Sequence, residues 1–432
     1  MEKSLWHNET NLPAFDSLKG DIKTDVLIIG GGMCGLLCGY YLKQSGINCV
    51  IVESNKVASG TSGNTTAKIT SLHGAIYSDL IKNYGLETAQ KYFDINQAAI
   101  KEYEKISKTA NCNFTKSTAY VYSLKNKEKI EKEYNALKKL GASAEFKTKS
   151  SLPFSVSALV GLKEQAEFNP LKFIEYIVKD LNIYENTRIL NIDNNFAYYS
   201  GGKIKAEKII VATHFPFINS HGLYFLKLYQ HRSYVIALEN AQSTDGMYAD
   251  EASGGLSFRN YGDLLLLGGC GARTGKPCGS FAELINFKNK YYPGSKIKYK
   301  WATEDCISLD KIPLIGKYSK HTPNLFVATG FNKWGMSSSM VSAVILTDMI
   351  NGVKNDYEDI FSPSRSILKP QLFTNIIETL SNFLLPTAKR CSHLGCALKW
   401  NKYEHSWDCS CHGSRFDPDG KLINNPANKD LK

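Results

Sequence analysis

Two short boxes near the end of the chain hold its densest chemistry. Cys391-Ser-His393-Leu-Gly-Cys396 and Cys409-Ser-Cys411-His412-Gly-Ser414 each put one thiol and one imidazole on a tight, glycine-containing loop, and each carries a further cysteine. Two thiolates with two imidazoles could bind zinc. Zinc fingers, however, do not set a glycine and a spare cysteine beside each ligand pair in this order. Of the eleven cysteines, four lie in these boxes. The other seven (Cys34, Cys38, Cys49, Cys112, Cys270, Cys278 and Cys306) are dispersed in mostly apolar settings and are expected to be reduced packing residues.

A second chemical signature lies near the start. Asp25-Val-Leu-Ile-Ile is a β-branched run of strand length, Gly30-Gly-Gly32-Met-Cys-Gly35 follows, and then apolar residues recur at helical spacing to Tyr41 before Cys49-Val-Ile-Val-Glu53. The glycines therefore fall at a strand-to-helix turn inside a compact βαβ unit. There Gly30 would make the tight turn, Gly32 would let backbone approach a pyrophosphate, and Gly35 would allow close helix–strand packing. Glu53 closes the second strand, placed to accept hydrogen bonds from a ribose hydroxyl pair and to repel a 2′-phosphate. FAD or NAD fits this pattern and NADP does not.

The elements that must position these residues need a large chain. At 432 residues two or three domains are expected. The net charge of +11 comes from scattered lysines rather than a basic block, which argues against nucleic acid. Met1–Trp6 lacks the order of a signal peptide, and no apolar run reaches membrane-spanning length, so an intracellular, cytoplasmic protein is expected. Ala58–Lys68 is a small-residue loop suited to wrapping a cofactor; Thr61 and Ser62 belong to it. Periodicity predicts paired helices over 78–109, a helix over 127–140 and one over 170–181. Strands are expected over 118–124, 187–192, 208–213, 234–238, 254–258 and 263–269. Leu325–Gly330 leads through a Gly-rich turn into a helix from about Ser337, a second dipole-accepting geometry. Residues 352–390, punctuated by prolines, read as a connector with one short helix over 372–383.

With these residues in hand, the boxes C-x-H-x-G-C and C-x-C-H-G-S resemble the Rieske [2Fe-2S] fold. That resemblance implies Cys391 and Cys409 on one iron, His393 and His412 on the other, and Cys396 with Cys411 as a loop-locking disulfide. It also implies a hydrogen bond from Ser414 to cluster or ligand sulfur, while Phe416 stands where high-potential Rieske proteins have a Tyr donor. Rieske domains normally place several strands before the first box, and residues 386–390 leave no room for them, so a shortened subdomain docked on the body is expected. The body resembles flavoproteins of the D-amino-acid-oxidase-like family, the glycine and sarcosine oxidase type, through Gly60–Gly74, Ala212–Pro216, Gly268-Gly269, Ile312–Gly316 and Gly330–Met336.

The resemblance implies an α/β fold: a Rossmann-like FAD-binding domain (25–75, 187–215 and 306–350) interleaved with an α+β substrate domain (76–186 and 216–305). An N-terminal arm (1–24), a connector (351–390) and a small C-terminal Rieske-like β subdomain (391–432) complete it. FAD would be held by Gly30, Gly32, Gly35, Glu53, Thr61, Ser62, Ile189, Thr213, Gly330, Gly335 and Met336. Lys333 occupies the position of a carboxylate-gripping Arg in the oxidases; with Lys68 and His73 it is a candidate for lining the substrate site. The expected activity is oxidation of an amine or amino acid C–N bond, with electrons exchanged between flavin and cluster and then with a redox protein or quinone, in the cytoplasm or peripheral to a membrane. Reverse flow from an outside donor, or an electron carrier or redox sensor without a small-molecule substrate, are the alternatives.

Overall fold

The computed structural model describes residues 3–276, 280–386 and 389–431; Cys278 lies outside them. Among the described residues, three sheets form. The first is organised on Ile22–Ile29, flanked in parallel by Cys49–Val52 and Gly202–Val211, with Leu325–Thr329 beyond the latter. Val26 to Ile29 are almost wholly buried, because a parallel strand covered on both faces must be apolar along its length rather than alternating. The helix Met33–Gln44 covers one face and packs against Gly335–Asn351.

A nine-stranded sheet runs beside this body. Its strands Lys296–Ser308, Leu228–Glu239 and Leu264–Arg273 pair antiparallel. Thr115–Ser123 and Ala158–Glu167 extend it, and the short strand Lys68–Ile69 joins its far edge directly after the cofactor loop. The helices Tyr77–Tyr84, Leu86–Ser107 and Lys127–Lys139 fall close to their predicted spans. The N-terminal arm is more than polar chain: Leu5–Glu9 is a short helix with Leu5 and Trp6 fully buried. Ser4 Oγ donates to the Gly63 carbonyl at 2.5 Å and Trp6 Nε1 to that of Thr65 at 2.7 Å, so this arm braces the cofactor loop.

The third sheet is small, antiparallel and four-stranded: Leu398–Asn401, Ser406–Cys409, Arg415–Phe416 and Leu422–Asn424. All four strands follow the first box, and Arg390 pairs with Ala397 just outside them. Its core is built from Cys391, Cys396, Cys409, Cys411, Leu398, Phe416 and Ala427, too few residues for an independent core of usual size. It is instead bonded to the larger body. Gln230 Nε2 donates to the His412 carbonyl at 3.1 Å and the Asn425 carbonyl at 2.6 Å. Arg273 donates to the Ser410 and Cys411 carbonyls at 2.8 and 2.7 Å. Arg232 pairs with Glu404, which also holds Arg415, and Arg415 in turn holds Asp408, all four being at most 6 % exposed.

Candidate functional site

The first site is a cavity of about 320 Å³ at the carboxyl ends of the parallel strands, where an open α/β sheet binds ligands. Gly30 has φ +118°, and a Cβ there would lie 2.4 Å from the Ala212 carbonyl oxygen; only glycine lets the strand turn against its neighbour. At Gly35 an added Cβ would meet the Gly30 carbonyl oxygen at 2.0 Å, so the helix can seat on the turn only without a side chain. Gly32 lines the cavity and precedes the helix, whose Met33 N–H is capped by Ser62 Oγ at 2.8 Å.

Glu53 also lines this cavity. One of its carboxylate oxygens accepts from Gly31 N–H at 2.7 Å, the other from Asn55 N–H at 2.8 Å and Ser54 Oγ at 3.0 Å. A carboxylate has about four acceptor positions, so capacity remains for a hydroxyl. Thr61, Ser62, Ile189, Thr213, Gly335 and Met336 line the cavity as well. Gly330 does not: its φ of +71° serves the turn, and a Cβ there would face Leu228 and Ser308. Residues that sequence reasoning missed complete the walls. His214 Nε2 and Glu304 Oε2 are buried atoms on this cavity without a protein partner among the described residues, as groups awaiting a polar ligand would be. The donor set, the glycine cradle and these orphaned atoms fit FAD.

Asn424, Asn425, Ala427 and Asn428 line the same cavity from the small C-terminal sheet. Asn425 Nδ2 donates to the Thr213 and Phe215 carbonyls, and Asn428 Nδ2 to those of Ile189 and Leu190. The last part of the chain is thus a wall of the cofactor cavity. No local pattern announces this, since each bond spans more than 200 residues of sequence.

The second site gathers both cysteine–histidine boxes. Cys391 lies against Cys409, and the sulfurs of Cys396, Cys409 and Cys411 lie within 4.8 Å of one another. His393 and His412 stand edge to face, their ring centroids 5.0 Å apart. Burial pushes both imidazoles down, to about 3 and about 4, so both are neutral. His393 Nε2 is 3.0 Å from Asn219 Oδ1; with that nitrogen donating, Nδ1, which has no partner, keeps its lone pair. His412 Nδ1 is also without a partner. Neutral imidazoles with free ring nitrogens beside packed thiols fit a cluster held by Cys391, Cys409, His393 and His412. Cys396 and Cys411 stand as free thiols.

Phe215 joins the two sites. Its backbone follows Thr213 and His214 out of the cofactor cavity, while its ring lies edge-on to His393 at 6.4 Å and to His412 at 6.2 Å. Strand 228–239 separates them on another side. Gln230 holds the His412 loop, whereas the next residue, His231, feels the Lys333 charge.

A further cavity of about 260 Å³ opens beside the first, sharing Thr61, Asp305, Lys333, Gly335 and Met336 with it. Lys68, Asp250, Ser257 and Trp334 also line it. Lys333 Nζ donates to the Ser253 carbonyl at 2.7 Å; it meets the solvent of the cavity but is ringed by protein, which lowers its pKa against the pull of Asp305. Burial raises Asp305 to about 6, with Lys333 opposing. Lys68, 3.2 Å from Thr66 Oγ1 and 3.4 Å from Ser257 Oγ, is lowered to about 7 by burial and then by Arg259. His73 borders the cavity but is committed elsewhere. Its Nδ1 meets the Tyr92 hydroxyl at 2.7 Å and its Nε2 the Thr70 carbonyl at 2.7 Å, and burial lowers it to about 3, so it is a neutral packing residue.

Fold and sites together define a flavoprotein body carrying a Rieske centre. Residues 25–349 match the DAO family, FAD dependent oxidoreductase, and residues 376–432 match the Rieske [2Fe-2S] domain. The chain belongs to this oxidoreductase family, and its cofactors are FAD and a Rieske [2Fe-2S] cluster. It is 34 % identical, over its whole length and 97 % of the relative's, to YhfW of Bacillus subtilis (strain 168), which is named as a Rieske 2Fe-2S iron-sulfur protein. The fold is shared with glycine oxidase from Geobacillus kaustophilus (TM-score 0.68, 15 % identity, 80 % of this chain and 99 % of that one). It is shared equally with L-proline dehydrogenase from P. horikoshii (TM-score 0.66, 15 % identity, 81 % and 98 %). Among the described residues no helix is long and apolar enough to cross a membrane.

Proposed function

We propose that this oxidoreductase acts on the C–N bond of an amine or amino acid and relays the electrons between its two redox centres. Bound FAD supplies a hydride acceptor and the [2Fe-2S] cluster a one-electron carrier. The observation that carries the reading is the position of Phe215, which directly follows the cavity-lining Thr213 and His214 in the chain and whose ring borders both histidines of the boxes. Glycine oxidase and L-proline dehydrogenase, both named for amino acid substrates, share the fold and support the substrate class.

The second cavity suits a zwitterion. Lys333 and Lys68 offer cations for a carboxylate, and Asp305 an acceptor for an ammonium or imine nitrogen. An ammonium on a compact flexible stem holds a carboxylate as a point charge, without a guanidinium's two-point grip, which favours a small or loosely fixed acid. In this reading Gly330, Gly335 and the turn between them set Lys333 at the junction of the cavities, and Trp334, stacked on His73 at 5.1 Å, fixes the wall behind it.

Anaerobic titration of the yellow protein with a panel of amino acids and amines tests this. Bleaching of the flavin band by one class, followed by the EPR signal of a reduced Rieske cluster, is expected. Bleaching only by a reduced protein donor would overturn it in favour of a reductase fed through the cluster.

A further inference from the structure

The connector helix Pro370–Leu384 is seated the wrong way round for a helix that ends at water. Its buried positions include Asn375 and Asn382. Asn375 accepts from Arg273 at 2.8 Å and donates to the Leu226 carbonyl at 3.3 Å. Glu378 pairs with Lys276, and the Asn382 side-chain Oδ1 accepts from Ser410 Oγ at 3.3 Å. The polar stripe therefore faces the protein. Phe373, Ile377, Leu380 and Leu384, spaced i, i+4, i+7 and i+11, form the opposite stripe. Together with Leu368 and Phe383 they are 54–78 % exposed. Apolar side chains scattered singly on a surface need no explanation, but a continuous charge-free stripe does.

We infer that this stripe seats the protein on an anionic lipid surface. Charge at the helix ends fits that occupant. Arg365 is held inward by Asp310, which leaves Lys369, Lys389 and Arg390 as the cations flanking the helix, and the one acid between them, Glu378, is also paired inward. Arg390 caps the C-terminal end of the stripe, donating to the Phe383 and Leu385 carbonyls at 2.8 and 3.0 Å. An apolar stripe bordered by Lys and Arg is what an interfacial helix presents to acyl chains and headgroups. A protein partner fits less well. Stable protein interfaces engage roughly 20–30 residues a side with a hydrogen bond per 100–200 Å², whereas this face offers one narrow stripe without a polar side chain. The helix also adjoins the cluster loop, since a Cβ at Gly395 would sit 3.7 Å from the Phe383 ring. Docking here brings the first box to the membrane face, within reach of a lipid-dissolved acceptor.

Flotation of the holoprotein with phosphatidylcholine vesicles, with and without phosphatidylglycerol, tests the inference, with flavin absorbance as the readout. The protein is expected to float with the anionic vesicles, less so at high salt, and Ile377→Glu/Leu380→Glu to weaken this by on the order of tenfold or more while keeping its flavin. Ile377→Trp keeps the stripe apolar and is expected to retain binding with blue-shifted emission. No flotation, or flotation undiminished in the double variant, would overturn it. So would a dimer in solution that the double variant dissociates, because a second copy would then own the stripe.

Discussion

Ser414 and Phe416 border the cysteines of the two boxes. Ser414 lies against Cys391 and its Oγ accepts from Ala427 N–H at 2.9 Å, while Phe416 is fully buried among the cluster cysteines. Each hydroxyl donated to cluster or ligand sulfur stabilises the more negative reduced state, so a chain with Ser but no Tyr has one donor fewer. The midpoint is expected below the top of the Rieske range of roughly −150 to +300 mV. Ser414→Ala should lower it further and Phe416→Tyr raise it, read by protein-film voltammetry; unchanged midpoints in both would remove these residues from the cluster's surroundings. Lys68 gives a signed pH effect. Its folded pKa, about 7, lies below the ordinary lysine value of about 10.4, so between these values the unfolded chain binds a proton that the folded chain does not. Stability therefore rises with pH across that window. Lys68→Met should be more stable than wild type near pH 6, by a margin that shrinks as pH rises from 7 to 10, measured by thermal unfolding. If Lys68 holds a substrate carboxylate, KM in the wild type should also climb above pH 7. A pH-independent margin would show that the ammonium is not desolvated.

At the scale of elements, the sequence was most legible where function is local. The strand–glycine–helix turn, Glu53 at the end of the second strand, and both cysteine–histidine boxes each fit within about thirty residues, short enough for the pattern itself to carry the dinucleotide reading and the resemblance to a Rieske domain. The seam between the sheets was not legible. Arg232, Gln230 and Arg273 lie on strands of the large sheet and bond to residues 404–425, some 130 to 200 positions later, and no periodicity encodes a partner so distant. The connector helix was legible in part: the sequence predicts a short helix over 372–383, observed as Pro370–Leu384, but not which stripe faces the protein. Breaking one member of a buried ion pair leaves the other charge stranded, a loss of about 3–5 kcal/mol. Arg232→Met leaves Glu404 paired with Arg415, both on the small sheet, so the expected loss is smaller than for a stranded charge, but the ion pair that crosses the seam is removed and the small sheet should loosen from the body. Faster proteolysis between residues 385 and 390, with FAD retained, is the expected sign, and unaltered proteolysis would mean that the Gln230, Arg273 and Asn425 bonds hold the seam without it.

Across the whole molecule, two redox sites share one wall. Asn425 and Asn428 close the cofactor cavity from the Rieske side, Phe215 follows the cavity-lining His214 and turns its ring to the histidines, and a four-stranded sheet with too small a core to stand alone is held by that seam. His393 and His412 face inward, toward Phe215 of the flavoprotein body, while the first box borders the connector helix at Gly395. Such an arrangement suits passage of electrons through one chain rather than by collision between chains. The most direct test needs no substrate. The flavin is reduced by a light flash under anaerobic conditions with EDTA as the sacrificial electron donor, and the Rieske EPR signal is followed by rapid freezing at several protein concentrations. Appearance of the signal at a rate independent of concentration is the predicted result; a rate proportional to protein concentration, or a reduced flavin beside a cluster that stays oxidised, would contradict the relay.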